Sequence, residues 1–233
     1  MPQSSLTSDF PLQTSHVPAI ASEASGPPAD AARPRPATST TWSGFEVQLF
    51  DDLADVETEW KEFERKADFT VFQSFNWLAK WQQHIGARAG TSPAIVFGRG
   101  TAGNLLFILQ LAIERHGPIR RLTWLGSELC DYNAPLLGAD FSQRIEPERF
   151  VQLWHEIAKL LHGQSQFAFD LIDLQKMPES VGSQRNPFLN LAVQPHPSGA
   201  YIATLTDDWE KFYAAKRSSS TRKRERRQLP LAQ

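Results

Sequence analysis

The chain changes character at one point, and that change limits which part of it can fold. All seven tryptophans lie at or beyond Trp42, whereas residues 1–41 are mostly Pro, Ala, Ser and Thr, with Pro27-Pro28, Pro34 and Pro36 close together. A segment with so little to bury cannot offset the entropy lost on ordering it. Residues 1–42 therefore read as a disordered tail, residues 43–215 as one domain with ample core material, and residues 216–233 as a separate basic segment.

Periodicity assigns elements within the domain. Phe45–Phe50 alternates apolar and polar residues, as a strand with one wet face does. Asp51 and Asp52 offer an N-cap to a helix carrying Leu53, Val56, Trp60 and Phe63. Ser74 caps a second helix through about His84, with Trp77, Leu78, Trp81 and Ile85 on one stripe. Ala94–Phe97 and Leu105–Ile113 form a hairpin, and Ile119–Leu125 adds a third antiparallel strand. Glu146-Pro147 opens the clearest helix, whose apolar face is Phe150, Leu153, Trp154, Ile157, Leu160 and Leu161. Further strands are expected at Phe167–Leu174, Phe188–Val193 and Tyr201–Leu205, with an irregular crossover at Pro178–Pro187. Asp207 or Asp208 caps a last helix containing Trp209, Phe212 and Tyr213. Runs of strands interrupted by helices define an α+β fold with a mixed, mainly antiparallel sheet.

Composition removes several function classes. No basic stretch followed by an apolar run marks a secretory signal, and the longest apolar run, around Leu105–Ile113, is too short to span a bilayer. The expected address is cytoplasmic. Cys130 is the single cysteine, which excludes an internal disulfide and a cysteine-based zinc site. His155 and His162 stand seven residues apart on one helix, wider than zinc-binding helices favour, and read as solvated flanks; no metal is expected. Residues 216–227 hold seven basic residues against Glu225 alone, in a chain of formal net charge −2. The rest of the chain is acidic on balance, so specific nucleic-acid binding is not expected, although the basic segment itself can seek anions.

Four local motifs remain. Gly98-x-Gly100-x-x-Gly103 has dinucleotide-binding spacing, but Asn104–Leu109 continues as strand rather than helix, so a hairpin turn is the better reading. Cys130 beside Asp131 lacks an identifiable base and reads as a buried small residue. The polar loop Gly126–Asn133 directly follows a strand and gathers an acid, a phenol and an amide. It reads either as a turn capped by Asp131 or as a ligand-contacting loop held by a strand end. On a helix, Arg222 and Arg226 stack one turn apart, as do Lys223 and Arg227, offering two edges to phosphate or carboxylate groups.

Taken as an ordered series, several stretches resemble the CelD-like, cellulose-biosynthesis-associated branch of the GNAT acetyltransferase superfamily. They are Val71-Phe72-Gln73-Ser74-Phe75-Asn76-Trp77 with Trp81, Leu122-Thr123-Trp124-Leu125-Gly126, Asp131-Tyr132, and Phe169-Asp170-Leu171 followed by Leu174–Ser180. Trp209-Glu210-Lys211-Phe212 and the basic stretch after Lys216 close the series. The resemblance implies a GNAT-like fold and acyl transfer from acetyl-CoA to a saccharide-related or other small acceptor. It implies an acceptor-facing role for Asp131 and Tyr132 and anion binding by Lys216, Arg222 and Arg226. In that family the basic segment leads into a second GNAT unit that binds acetyl-CoA on a glycine-punctuated loop. No such loop occurs here, so the expectation is a truncated enzyme lacking its donor half. Two other functions stay open: a non-catalytic binding module with an anion-docking tail, and half of a FemAB-type aminoacyl transferase.

Overall fold

The computed structural model describes residues 35–196 and 207–228. Strand β1 (Thr38–Trp42) pairs antiparallel with β2 (Phe45–Phe50), Thr38 opposite Leu49 and Trp42 opposite Phe45. Order therefore begins several residues earlier than composition implies. The threonines of β1 are β-branched and suited to an edge strand that buries little, and the partner strand supplies the hydrogen bonds that composition cannot reveal. The remainder of the expected tail, before residue 35, lies outside the described residues.

After β2, Asp52 Oδ1 accepts the Ala54 N–H at 2.9 Å and starts a short 3₁₀ turn that runs into α1 (Glu57–Glu64). Val56, Trp60 and Phe63 are buried on its inner face, as the spacing predicts. The two-residue β3 (Ala67–Asp68) precedes α2 (Phe75–Trp81), which passes directly into a π-helical turn over Gln82–Gly86. There the predicted stripe fails in part. Leu78 and Trp81 are buried, but Ile85 is exposed, because the wider π turn rotates later residues away from the line an α-helix would follow. Trp77, about 100° around the helix from Leu78, falls at the edge of the buried face and is also exposed.

The sheet is built around β4 (Ser92–Arg99) and β5 (Leu105–His116), a hairpin with a bulge at Gly98/Arg99. The last half of β5 pairs with β6 (Ile119–Trp124), and Phe107 and Ile108 pair with β7 (Leu136–Gly138), which in turn meets β3. Next come the short α3 (Phe141–Arg144), the long α4 (Pro147–His162), and β8 (Leu171–Ile172), parallel to β6. The main strand order is β1-β2-β4-β5-β6-β8. The result is a mixed α+β fold with a mostly antiparallel sheet, as the element pattern predicts.

Helices cover both faces of this sheet. On one, Val47, Leu49, Val96, Leu109 and Leu111 meet Phe150, Leu153, Trp154 and Ile157 of α4. On the other, Ile95, Phe97, Ile108 and Ala112 meet Trp60 and Phe63 of α1 and Leu78 and Trp81 of α2. Burial on both sides explains why β5 is a nearly continuous apolar run rather than an alternating one. Arg99 is 2 % exposed and locks the second layer: its guanidinium reaches Gln48 Oε1 at 2.9 Å and both carboxylate oxygens of Glu59 at 2.6 and 2.5 Å.

The chain beyond β8 departs from expectation. Of Phe167–Leu174 only Leu171 and Ile172 pair as strand. The Pro178–Pro187 crossover contains a small hairpin, β9 (Ser180–Val181) with β10 (Gln184–Arg185). Phe188–Val193, expected as a strand, begins instead as a 3₁₀ turn over Pro187–Asn190. Asn186 caps it, its Oδ1 accepting the Phe188 N–H at 3.1 Å, and Pro187 presets the first turn. Tyr201–Leu205 lies outside the described residues. Asp208 caps α5 (Trp209–Lys216) by accepting the Lys211 N–H at 3.0 Å, and α6 (Ser219–Gln228) follows. No helix among the described residues is long and apolar enough to cross a membrane.

Candidate functional site

The loop that follows β6 is fixed from three sides. Leu125 N–H donates to Gln110 O at 2.8 Å, which ties the strand end to β5. Gly126 then turns the chain at φ +78°, a backbone that favours glycine, and an added Cβ would crowd Leu78 Cδ2 at 3.0 Å. Leu129 N–H closes the turn onto Gly126 O at 3.0 Å.

Lys176 holds the second side. Its ammonium donates to the carbonyl oxygens of Ser127 at 3.0 Å, Glu128 at 3.3 Å and Cys130 at 3.0 Å. Its own carbonyl accepts the Asn133 N–H at 3.0 Å, and Asn133 Nδ2 donates to Gln175 O at 3.1 Å. One cation thus gathers three carbonyls that the turn leaves without partners in a ladder.

Gln73 holds the third. It sits in a capping box, its Oε1 accepting from Thr70 N–H at 3.0 Å, and its Nε2 donates to Tyr132 O at 2.7 Å. This brings the segment before α2 against the loop. The Phe72 ring lies 6.3 Å from the Tyr132 ring and 6.0 Å from the Trp77 ring, the latter edge to face. Phe72, Trp77 and Tyr132 therefore form a connected set of rings at this loop, and Asp131, the residue before Tyr132, is exposed. Trp77, Val71 and Leu129 remain 36 %, 66 % and 53 % exposed.

Beneath this surface Cys130 is fully buried, its Sγ 3.8 Å from Phe72 O. Burial pushes the thiol pKa up, outweighing the indole of Trp77 and the Lys176 charge, which favour the thiolate. A protonated, inaccessible thiol packs; it does not attack.

The expected acceptor residues Asp131 and Tyr132 thus lie together on this loop, and the structure adds Phe72, Trp77, Gln73 and Lys176. Trp77 carries a detectable signal, a large aromatic at the rim of a helical face. Gln73 carries a capping-box spacing with Thr70, and both it and Lys176 (within Leu174–Ser180) fall in stretches of the resemblance, but nothing local points either of them at this loop. Of the expected anion-binding residues, Lys216 ends α5, while Arg222 and Arg226 lie one turn apart on α6. Among the described residues, no hydrogen bond, ion pair or ring contact links Lys216 to the Asp131–Tyr132 loop. His155 and His162 are exposed, the latter edge-on to Phe169, and no group of three metal-ligating side chains occurs among the described residues.

Free amides at a helix entrance are one good way to hold an acyl-CoA diphosphate. The glycine run after β4 does not offer them: Gly100 N–H donates to Asn104 O at 3.0 Å and Gly103 N–H to Gly100 O at 2.8 Å, as befits a hairpin turn. The entrances of α1, α4 and α5 carry Glu57 and Glu59, Glu148, and Asp208 with Glu210, which repel a diphosphate. At α2 the Phe75 N–H is taken by Glu64 Oε1 at 2.5 Å. The entrance of α6 has no acid but also no glycine for close backbone approach.

No protein-family model, curated protein or solved structure matches this chain.

Proposed function

We propose that this chain is the acceptor-binding part of a GNAT-type acyltransferase acting on a saccharide-related acceptor. The observation that carries this reading is the cluster of Phe72, Trp77 and Tyr132 beside exposed Asp131, on a loop pinned by Gln73 and Lys176. A pyranose presents apolar C–H faces and a rim of hydroxyls. Flat rings receive the faces, and a neighbouring carboxylate accepts from the rim. Pinning matters because a preorganised surface loses less entropy when it binds.

The ordered motif resemblance supplies the reaction class, acyl transfer from acetyl-CoA. In this reading the glycine run after β4, closed as a hairpin turn, takes no part in holding the donor. Asp131 orients the acceptor in this reading; no proton-transfer step is assigned to it.

Calorimetric titration with soluble cello-oligosaccharides tests the proposal. Saturable binding is expected, weakened about tenfold or more by Trp77→Ala, the loss of one stacking ring being comparable to a binding hot spot. Titration with acetyl-CoA alone is expected to give no saturable heat. No oligosaccharide binding, or binding indifferent to Trp77→Ala, would overturn the acceptor assignment.

A further inference from the structure

The proposed acceptor surface makes no use of the two C-terminal helices, which set an aromatic face beside a dense run of basic residues. On α5, Trp209, Phe212 and Tyr213 fall at i, i+3 and i+4 and so share one face. The Trp209 ring lies 5.7 Å from Phe212 and 5.8 Å from Tyr213, with interplanar angles of 30° and 29°. Trp209 is 59 % exposed, and α5 has no buried residue. An aromatic face on a helix with no buried residue is available to an external partner. Directly after it, residues 216–227 hold seven basic residues against one acid. Lys223 and Arg224 are exposed on α6.

We propose that α5 and α6 together dock the protein on an anionic lipid surface. The two helices supply complementary halves of such a contact. Helix α6 contains no apolar residue, so it cannot sink into the acyl region and instead adsorbs among the headgroups by charge. Helix α5 supplies what α6 lacks, a tryptophan and a tyrosine of the kind that settle at the bilayer interface, with an apolar body and a polar tip. Charge attraction alone gives loose association; an aromatic anchor beside a polybasic stretch gives the two signals that reversible attachment needs. The sequence of α6 favours lipid over nucleic acid: no aromatic residue is interleaved with its basic side chains, so the charge is not paired with the base stacking that single strands use. This inference does not depend on the acceptor assignment, because no residue is shared between them.

Flotation of the full chain with lipid vesicles tests it. Vesicles of phosphatidylcholine with about one third phosphatidylserine should bind the protein, and pure phosphatidylcholine vesicles should bind it at least about tenfold less, since each basic residue near an anionic surface contributes several-fold. Raised salt should release it. The pair Lys223→Glu with Arg224→Glu should lower binding about tenfold or more. The pair Trp209→Ala with Phe212→Ala should lower it about fivefold while leaving the salt dependence in place. Because α5 has no buried residue, circular dichroism and the thermal midpoint should be unchanged in both variants. Absence of flotation, equal binding to neutral vesicles, or indifference to the aromatic pair would each overturn the proposal. So would a mixed-sequence single-stranded RNA that binds more tightly than the anionic vesicles and displaces the protein from them.

Discussion

Lys176 adopts φ +58°, a left-handed conformation that costs a non-glycine residue about 1–3 kcal/mol. Three carbonyl acceptors on its ammonium offset that cost, and strain held this way marks a segment whose shape is over-determined by its surroundings. Cys130, one of the residues so held, has a thiol pKa raised by burial above its ordinary value of 9.0. The folded chain therefore keeps the thiol proton at pH values where the unfolded chain has begun to lose it. This contribution to stability is complete below the unfolded pKa and disappears as pH climbs through the folded one. Urea unfolding between about pH 8 and about pH 10 should show a smaller alkaline loss of stability for Cys130→Ala than for the wild type. Parallel pH profiles would mean the thiol is not buried as described.

The hairpin that centres the sheet turns on Gly98, which stands opposite Phe107 in the register. A Cβ at position 98 would sit 2.0 Å from Phe107 Cζ, so the ring occupies the space a side chain would need. Gly98→Ala should destabilise the domain by about 1–3 kcal/mol in urea unfolding, as overpacking of a core does. Gly100→Ala, whose Cβ would meet Asn104 Oδ1 at 3.1 Å and Leu106 Cδ1 at an ordinary 3.4 Å, should cost less. Equal effects would place the bulge elsewhere. Elements of this kind were legible because alternation and glycine spacing are local properties; β2, β4, β5, β6, α1 and α4 follow from them. The π turn after Trp81 leaves no local signature, so Ile85 was placed on the wrong face. The turn at Pro187 was legible in principle, since Asn186-Pro187 is an N-cap followed by a first-turn proline, but the apolar run after it mimics a strand.

At the scale of the whole molecule, one sheet is enclosed by α4 on one face and by α1 and α2 on the other, and the Gly126–Asn133 loop leaves the end of β6 beside α2. The position of Asp131 and Tyr132 after a strand could be read from the sequence. Their aromatic company could not, because the bond that assembles it, from Gln73 to the Tyr132 carbonyl, joins residues 59 apart in the chain. Lys176 falls within the Leu174–Ser180 stretch of the resemblance, but its role was hidden, depending on three carbonyls from a distant loop. The account rests on the surface those contacts create. Its most direct test follows the indole N–H resonances of the seven tryptophans during titration with a soluble cello-oligosaccharide. A saturable shift confined to Trp77, accompanied by the Tyr132 amide and absent from the buried Trp60 and Trp124, is the predicted result. An unmoved Trp77, or a response at Trp209 in its place, would contradict it.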